Sequence, residues 1–254
     1  MDEMFGTPQF DEGGVQLLTR DTSSMMMNIA VYKFAPHQER VFMSEDEECA
    51  LLLIQGNVQF EWDGQVQRAV RGNFINDGAW CLHVCKGTRV KITAETESEV
   101  LVQATKNSRA FDATLYTPEN CGEETFGKNQ FDGKAERTVR TFFDYSSAPH
   151  SNMVIGEIVV PQGGWSSYPP HMHPQPEVYY YRFEKPQGFG ACFIGEDVFK
   201  IRDRSYCAIP GGVTHPQVNA PGYPLFYVWM IRHFDDAPWK DRIFDSEHTW
   251  LLEQ

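Results

Sequence analysis

Short runs dense in β-branched and aromatic residues recur along the first half of the chain, each closed by a turn signal. The runs cover 29–34, 50–54, 58–62, 79–84, 89–94 and 100–104, with Gln55-Gly56-Asn57, Asp63-Gly64, Asp77-Gly78 and Lys86-Gly87 between them. That spacing predicts an all-β sandwich or barrel, because each run is of strand length and glycine punctuates the intervals. Residues 118–134 then bring Pro, Asn, Gly and Glu without periodicity, which reads as a linker or crossing loop. From Thr138 the β rhythm resumes. The expected division is a first domain over 1–117, a connection over 118–137 and a second domain over 138–254. The one helical segment expected lies at 239–252.

Composition narrows the class of partner. With 254 residues, 41% of them hydrophobic and 13% aromatic, the chain has ample material for a core and is not disordered. No apolar run approaches the ~20 residues of a membrane span, and the acidic start Met1-Asp2-Glu3-Met4-Phe5 lacks the order of a signal peptide. A cytoplasmic protein is expected. A net charge of -13 argues against nucleic acid and anionic membranes, yet leaves an anionic substrate open, since a local basic cluster can receive it. The cysteines at 49, 81, 85, 121, 192 and 207 show no CxxC spacing and suit free thiols. Cys81, His83 and Cys85 alternate as metal ligands on a strand would. Without a nearby fourth ligand, Trp80-Cys81-Leu82-His83-Val84-Cys85 reads instead as a mostly buried strand.

The chemistry concentrates between Pro169 and Asn219. His171-Met172-His173-Pro174-Gln175-Pro176-Glu177 is followed by Pro210-Gly211-Gly212-Val213-Thr214-His215-Pro216-Gln217-Val218-Asn219. Side chains two apart on a strand share a face, so His171, His173 and Glu177 can point inward together. Prolines at 169, 170, 174 and 176 exclude helix and place this segment at an edge or in a loop entering a strand. Gly211 and Gly212 can turn the chain before His215. Three imidazoles and a carboxylate form a first shell for Mn, Fe, Ni or Zn, because imidazole is a borderline ligand and harder cations prefer oxygen. Tyr179 and Tyr181 share strand parity with Glu177 and can face the same cavity or simply pack in the core.

The order H-x-H-x3-E, then P-x-G-x2-H-x3-N, resembles the two motifs of the cupin superfamily. Gly163 to His171, Glu177 to Phe183, Pro186-Gln187-Gly188-Phe189, Ala220-Pro221-Gly222-Tyr223 and Asp245-Ser246-Glu247-His248-Thr249-Trp250-Leu251 are similar to the 5-deoxy-glucuronate isomerases of bacterial inositol catabolism. The resemblance is specific from about Val154 onward. It departs from the family at Pro174-Gln175-Pro176, a shorter passage between the second His and the Glu than is usual.

The resemblance implies a bicupin: two cupin-like antiparallel β-barrels, the first without its metal, since His37 and His83 stand alone. The first half then has a packing or assembly role, such as a dimer surface. It also implies a metal-dependent conversion of 5-deoxy-D-glucuronate to 5-dehydro-2-deoxy-D-gluconate, with one divalent metal on His171, His173, Glu177 and His215. Tyr179, Tyr181, Gln187 and Tyr227 are then candidates for the proton chemistry. Gln217, Lys185 and Arg182 are candidates for holding substrate, and because Arg182 has outward parity, Lys185 or an arginine from another strand serves equally well for the carboxylate. Two rivals share the metal motif: a cupin dioxygenase, and a sugar-acid binding module without turnover.

Overall fold

The alternation in the first half produces a barrel whose inward positions are almost purely apolar. The computed structural model describes residues 4–253; Met1, Asp2 and Glu3, on which the reading of the start partly rests, lie outside the described residues. Two compact units form, one of residues 9–122 with 148–152, the other of 4–8, 123–147 and 153–253. After a short strand β1 (Phe5–Gly6), the first unit contains β2 (Gly14–Leu18), β3 (Asn28–Phe34), β4 (Glu39–Phe42), β5 (Glu47–Trp62), β6 (Gln65–Arg71), β7 (Trp80–Val84), β8 (Val90–Ala94), β9 (Ser98–Lys106) and β10 (Thr114–Tyr116). All pairings are antiparallel, in the order β10-β7-β5-β9-β3-β2, with β6 and β8 on the far half of β5 and β4 on β8. Leu51, Leu53, Phe60, Leu82, Val90, Ile92 and Val102 fill the interior.

One expected turn is absent. Gln55-Gly56-Asn57 does not reverse the chain: β5 runs on for 16 residues, and the register shifts between Leu53 and Gln55. Gly56 takes φ +113, and a Cβ there would stand 2.2 Å from Ser98 Oγ, so the glycine bends one strand from the β7/β9 pairing into the β6/β8 pairing. Asp63 and Gly64, at φ 45 and 76, do form the tight β5–β6 hairpin.

On the opposite face of this sheet lies a buried polar cluster around Glu48. One carboxylate oxygen accepts from Asn107 Nδ2 (3.0 Å) and Asn152 N (2.6 Å); the other faces His83 Nε2 and Ser151 Oγ, both at 2.9 Å. His83 packs against Phe111 with ring centroids 4.7 Å apart. Cys81 is buried and Cys85 Sγ lies 3.6 Å from Thr88 Oγ1, so the alternation at 81–85 is part of a buried strand, with His83 given over to Glu48.

The second unit comprises β11 (Glu123–Phe126), β12 (Arg137–Phe143), β13 (Met153–Val160), β14 (Trp165–Ser166), β15 (His171–Met172), β16 (Glu177–Phe183), β17 (Phe189–Ile194), β18 (Asp197–Arg202), β19 (Tyr206–Ile209), β20 (Gln217–Asn219), β21 (Leu225–Arg232) and β22 (Ile243–Phe244). Its larger sheet runs β1-β19-β16-β21-β13-β12-β11, its smaller β14-β20-β17-β18, and β15 pairs β22.

Three boundaries differ from the sequence reading. Residues 4–8 join the second unit, where Phe5 and Gly6 pair with Cys207 and Tyr206. The supposed connection 118–137 supplies β11 to the same sheet, pairing Phe126 with Arg137, while 148–152 belongs with the first unit. Each change covers a sheet edge or a buried polar group, which local periodicity does not register. The helical segment expected within 239–252 is present in part, as a 3-10 helix at Ser246–Glu253 that buries Leu251, whereas the chain before it is extended, with Ile243 and Phe244 paired to Met172 and His171. Among the described residues no helix is long and apolar enough to cross a membrane.

Removing Glu48 strands several buried donors. Glu48→Ala should lower stability by about 3–5 kcal/mol in urea titration and leave metal content unchanged; an effect on metal without loss of stability would contradict the structural role.

Candidate metal centre

All seven residues of β16 are buried, so its inward set Glu177, Tyr179, Tyr181 and Phe183 has to build the interior of the second barrel. The ladder fixes what they meet: Glu177 pairs with Ile209 and Ile231, Tyr179 with Cys207 and Trp229, Tyr181 with Tyr227. Proline-rich chain from 169 to 176 carries the two histidines to the Glu177 end of the strand. Gly211 and Gly212 bring His215 to the same place. Gly212 N–H donates to His173 O (2.8 Å), and a Cβ at Gly211 would lie 1.8 Å from Pro174 O, so the two ligand-bearing loops touch backbone to backbone.

His173, Glu177 and His215 present ligand atoms that all lie within 4.8 Å of one another, and all three residues are buried. His171 stands beside them, its ring 5.2 Å from that of His215. Every one of these imidazoles directs Nδ1 at a backbone carbonyl two residues away: His171 at Pro169 (2.9 Å), His173 at Gln175 (2.9 Å), His215 at Val213 (3.0 Å). A carbonyl only accepts, so Nδ1 carries the proton and the neutral ring leaves Nε2 as a bare lone pair. Those Nε2 atoms face Glu177 Oε2 at 3.1 Å from His173 and 3.2 Å from His215. Lone pairs meeting a carboxylate this closely repel unless a proton or a cation lies between them. His215 Nε2 is buried and, despite the short distance, not aligned for a hydrogen bond. Convergent ring nitrogens with their Nδ1 atoms anchored, set against a buried carboxylate, fit a transition metal.

The titration behaviour agrees. Burial alone would raise the Glu177 carboxyl, but the adjoining imidazoles of His173 and His215 outweigh it and hold it at about 2. Burial, then the neighbouring His215, push His171 down to about 3, so its lone pair is free at neutral pH. His215 is raised, because contact with Glu177 overcomes the opposing effect of its burial.

Below this cluster three tyrosines share the interior. Tyr179 OH lies 3.0 Å from Ser167 Oγ, Tyr227 OH 2.6 Å from Ser166 Oγ, and Tyr181 OH donates to Gln217 Oε1 at 2.5 Å. Gln217 Nε2 donates to His215 O at 2.7 Å, linking Tyr181 to the backbone of a candidate ligand. The ring of Tyr179 is 6.0 Å from that of His215. Burial raises all three phenols, so they keep their protons and act as donors.

The remaining candidates are not brought to this place. Arg182 faces the other side of β16 and its Nε donates to Asp203 Oδ1 at 2.8 Å. Lys185 and Gln187 are exposed in the turn after Phe183, at the end of β16 opposite Glu177 and about 20 Å along it at ~3.3 Å per residue. A one-residue parity rule does not show which end of a strand faces a site. The structure adds residues that the reading missed: Trp239, with its ring 6.1 Å from His173, and Arg137 on β12, whose inward parity emerges only from the ladder register.

The first barrel repeats this plan without its ligands. Cys49 pairs with Val84 and Ala104 as Glu177 pairs with Ile209 and Ile231. Val90 follows Val84 by the same six residues that separate His215 from Ile209. Where one barrel has Glu, His and Gln217, the other has Cys49, Val90 and Ile92, and its mouth is apolar.

The sequence profile of the KduI/IolB family matches residues 6–251. A protein of Geobacillus kaustophilus named 5-deoxy-glucuronate isomerase is 26% identical, covering 96% of this chain and 92% of its own. Among solved structures, an IolB-like protein of Salmonella typhimurium superposes with a TM-score of 0.89 at 21% identity over 98% of this chain and 99% of the other. An oxalate decarboxylase of Lactobacillus farciminis gives 0.68 at 14% identity, covering 100% and 91%. These likenesses make the fold all-β and cupin-like.

Gly211→Ala should reduce metal affinity about 10–100-fold by forcing the two ligand loops apart, whereas Gly212→Ala, with open space but φ +82, should cost about 1 kcal/mol of stability; metal titration and thermal melts separate the two. In the metal-free protein, His171 binds its proton more readily when unfolded from pH 6.5 down to about 3, and Glu177 from 4.5 down to about 2. Both therefore withdraw stability as pH falls through those windows, while His215, being raised, withdraws it as pH climbs past its folded value. Urea midpoints across pH 3–7 should decline toward acid, and His171→Gln should flatten the limb between 6.5 and 3.

Proposed function

Because the chain belongs to the KduI/IolB family, we propose that it is an aldose–ketose isomerase of inositol catabolism, converting 5-deoxy-D-glucuronate to 5-dehydro-2-deoxy-D-gluconate. The observation that carries this reading is the joining of two independent facts: a family-wide match whose relatives are named for that reaction, and a buried group of His173, Glu177 and His215 whose lone pairs converge. His171 completes the set of four that would hold one divalent ion, Zn, Mn, Fe or Ni. Such an ion supplies Lewis acidity toward the oxygens on C1 and C2 of the open-chain sugar.

The chain's own groups do the rest. The three Nδ1–H donors to Pro169, Gln175 and Val213 carbonyls keep the imidazoles in the ligating tautomer. Tyr179, protonated and in ring contact with His215, is placed to donate to a substrate oxygen as charge develops there. Tyr181 is committed to Gln217 and so positions the His215 loop. Ile209, Ile231 and Trp229 surround this interior with buried apolar side chains, which would keep bulk water from a bound sugar.

His173→Ala should retain its fold by circular dichroism yet lose bound metal and at least about 100-fold of ketose formation. Full turnover with metal retained would remove this site from the reaction. Metal with oxygen consumption and no ketose would replace the isomerase by a dioxygenase.

A further inference from the structure

Strand β12 carries two buried arginines on opposite faces, and their surroundings differ. Arg140, on the outer face, is neutralised by Glu157 at 2.7 Å and Glu123 at 2.8 Å. Arg182 on β16 has Asp203. Arg71, deep in the first unit, donates to the carbonyls of Leu53, Phe74 and Asp77. Arg137 has none of this. It is 7% exposed, donates Nη1 to the single carbonyl of Ala135 at 2.8 Å, and among the described residues makes no ion pair, in a chain of net charge -13. A buried guanidinium without a counter-charge is a costly arrangement that an arriving anion relieves.

Its direction is set by register. Val139 pairs with Ile158, and Ile158 with Tyr227, so Arg137, two residues before Val139, stands on the interior face with the tyrosines. The guanidinium lies 5.6 Å from the centroid of Phe126, its neighbour on β11. A second guanidinium, that of Arg242, approaches the same ring at 5.9 Å. Arg242 immediately precedes Ile243, the ladder partner of Met172 between the two candidate ligands, and among the described residues its one ion-pair partner is the exposed Asp241 at 3.8 Å. Burial foremost, and Arg242 among its charged neighbours, lower the Arg137 pKa, with Tyr227 and Tyr179 opposing. Two like charges thus converge on one ring beside the tyrosines and next to the metal loop.

We propose that Arg137 and Arg242 together seat the distal carboxylate of a sugar acid whose other end lies at the candidate metal centre. This rests on the isomerase reading for the identity of the sugar and not for the presence of the anion site. The planar fork of Arg137 suits bidentate contact, and Arg242, one-third exposed, closes the pair from the β22 side. The carboxylate that the reaction leaves untouched then fixes which end of the sugar meets the metal.

The test is equilibrium binding of D-glucuronate and its methyl ester, in which a methyl group removes the distal charge, to the full-length metal-loaded protein. The natural chain should prefer the acid by at least about tenfold; Arg137→Gln should abolish that preference while keeping its metal, and Arg137→Lys should keep part of it. An unchanged preference in metal-bound Arg137→Gln, or none in the natural chain, overturns the proposal. Should Arg137→Gln fail to fold, Arg242→Gln at its more exposed position must weaken the preference, and an undiminished one overturns the pairing. Turnover is scored separately: a chain that forms no ketose but shows Arg137-dependent preference loses the isomerase assignment and keeps the anion seat.

Discussion

Burial of β16 on both faces over its whole length is the constraint from which the second barrel follows. A strand hydrogen-bonded to β19 on one side and β21 on the other, with no exposed side chain, allows polar groups only where partners are built for them. Glu177 is tolerated because His173 and His215 stand against it. Tyr179 and Tyr181 are tolerated because Ser167 and Gln217 receive their hydroxyls. The outward residue Arg182 needs Asp203. The site is therefore continuous with the core, and its polar members are held by the same packing that excludes water from them.

The two barrels show what that packing requires when chemistry is withdrawn. Cys49 takes the ladder position of Glu177, Val90 and Ile92 stand at the sequence spacing of His215 and Gln217, and with them the interior becomes an apolar cluster. Polar burial reappears on the other face, where Glu48 gathers four donors. The same strand plan thus supports a polar interior in one unit and, on the other face of the sheet, a buried polar cluster in the other.

Much of this was legible from residue order, and the boundary of legibility is physical. His171, His173, Glu177 and His215 could be assembled because strand parity, prolines and a glycine turn act over a few residues. The bent β5 was misread as two strands because a glycine that bends a strand and one that ends it look alike until the partner is known. Lys185 and Gln187 were placed near the site by proximity in sequence to β16, although the strand carries them to its far end. Arg137 was invisible: nothing within ten residues marks it as inward-facing, and only the chain of pairings from β12 through β13 to β21 does. Long-range register carries information that local pattern lacks.

The pairing of β1 with β19 has a temporal side. Phe5 and Gly6 leave the ribosome roughly 200 residues before Cys207 and Tyr206, which at ~5–20 residues per second is a wait on the order of 10–40 s. During that interval the first unit's strands are made one after another, while Phe5 and Gly6 have no β19 edge to join. The second sheet therefore closes by bringing a strand made before the first unit to one made well after it, so β1 waits longer than its neighbours for a partner.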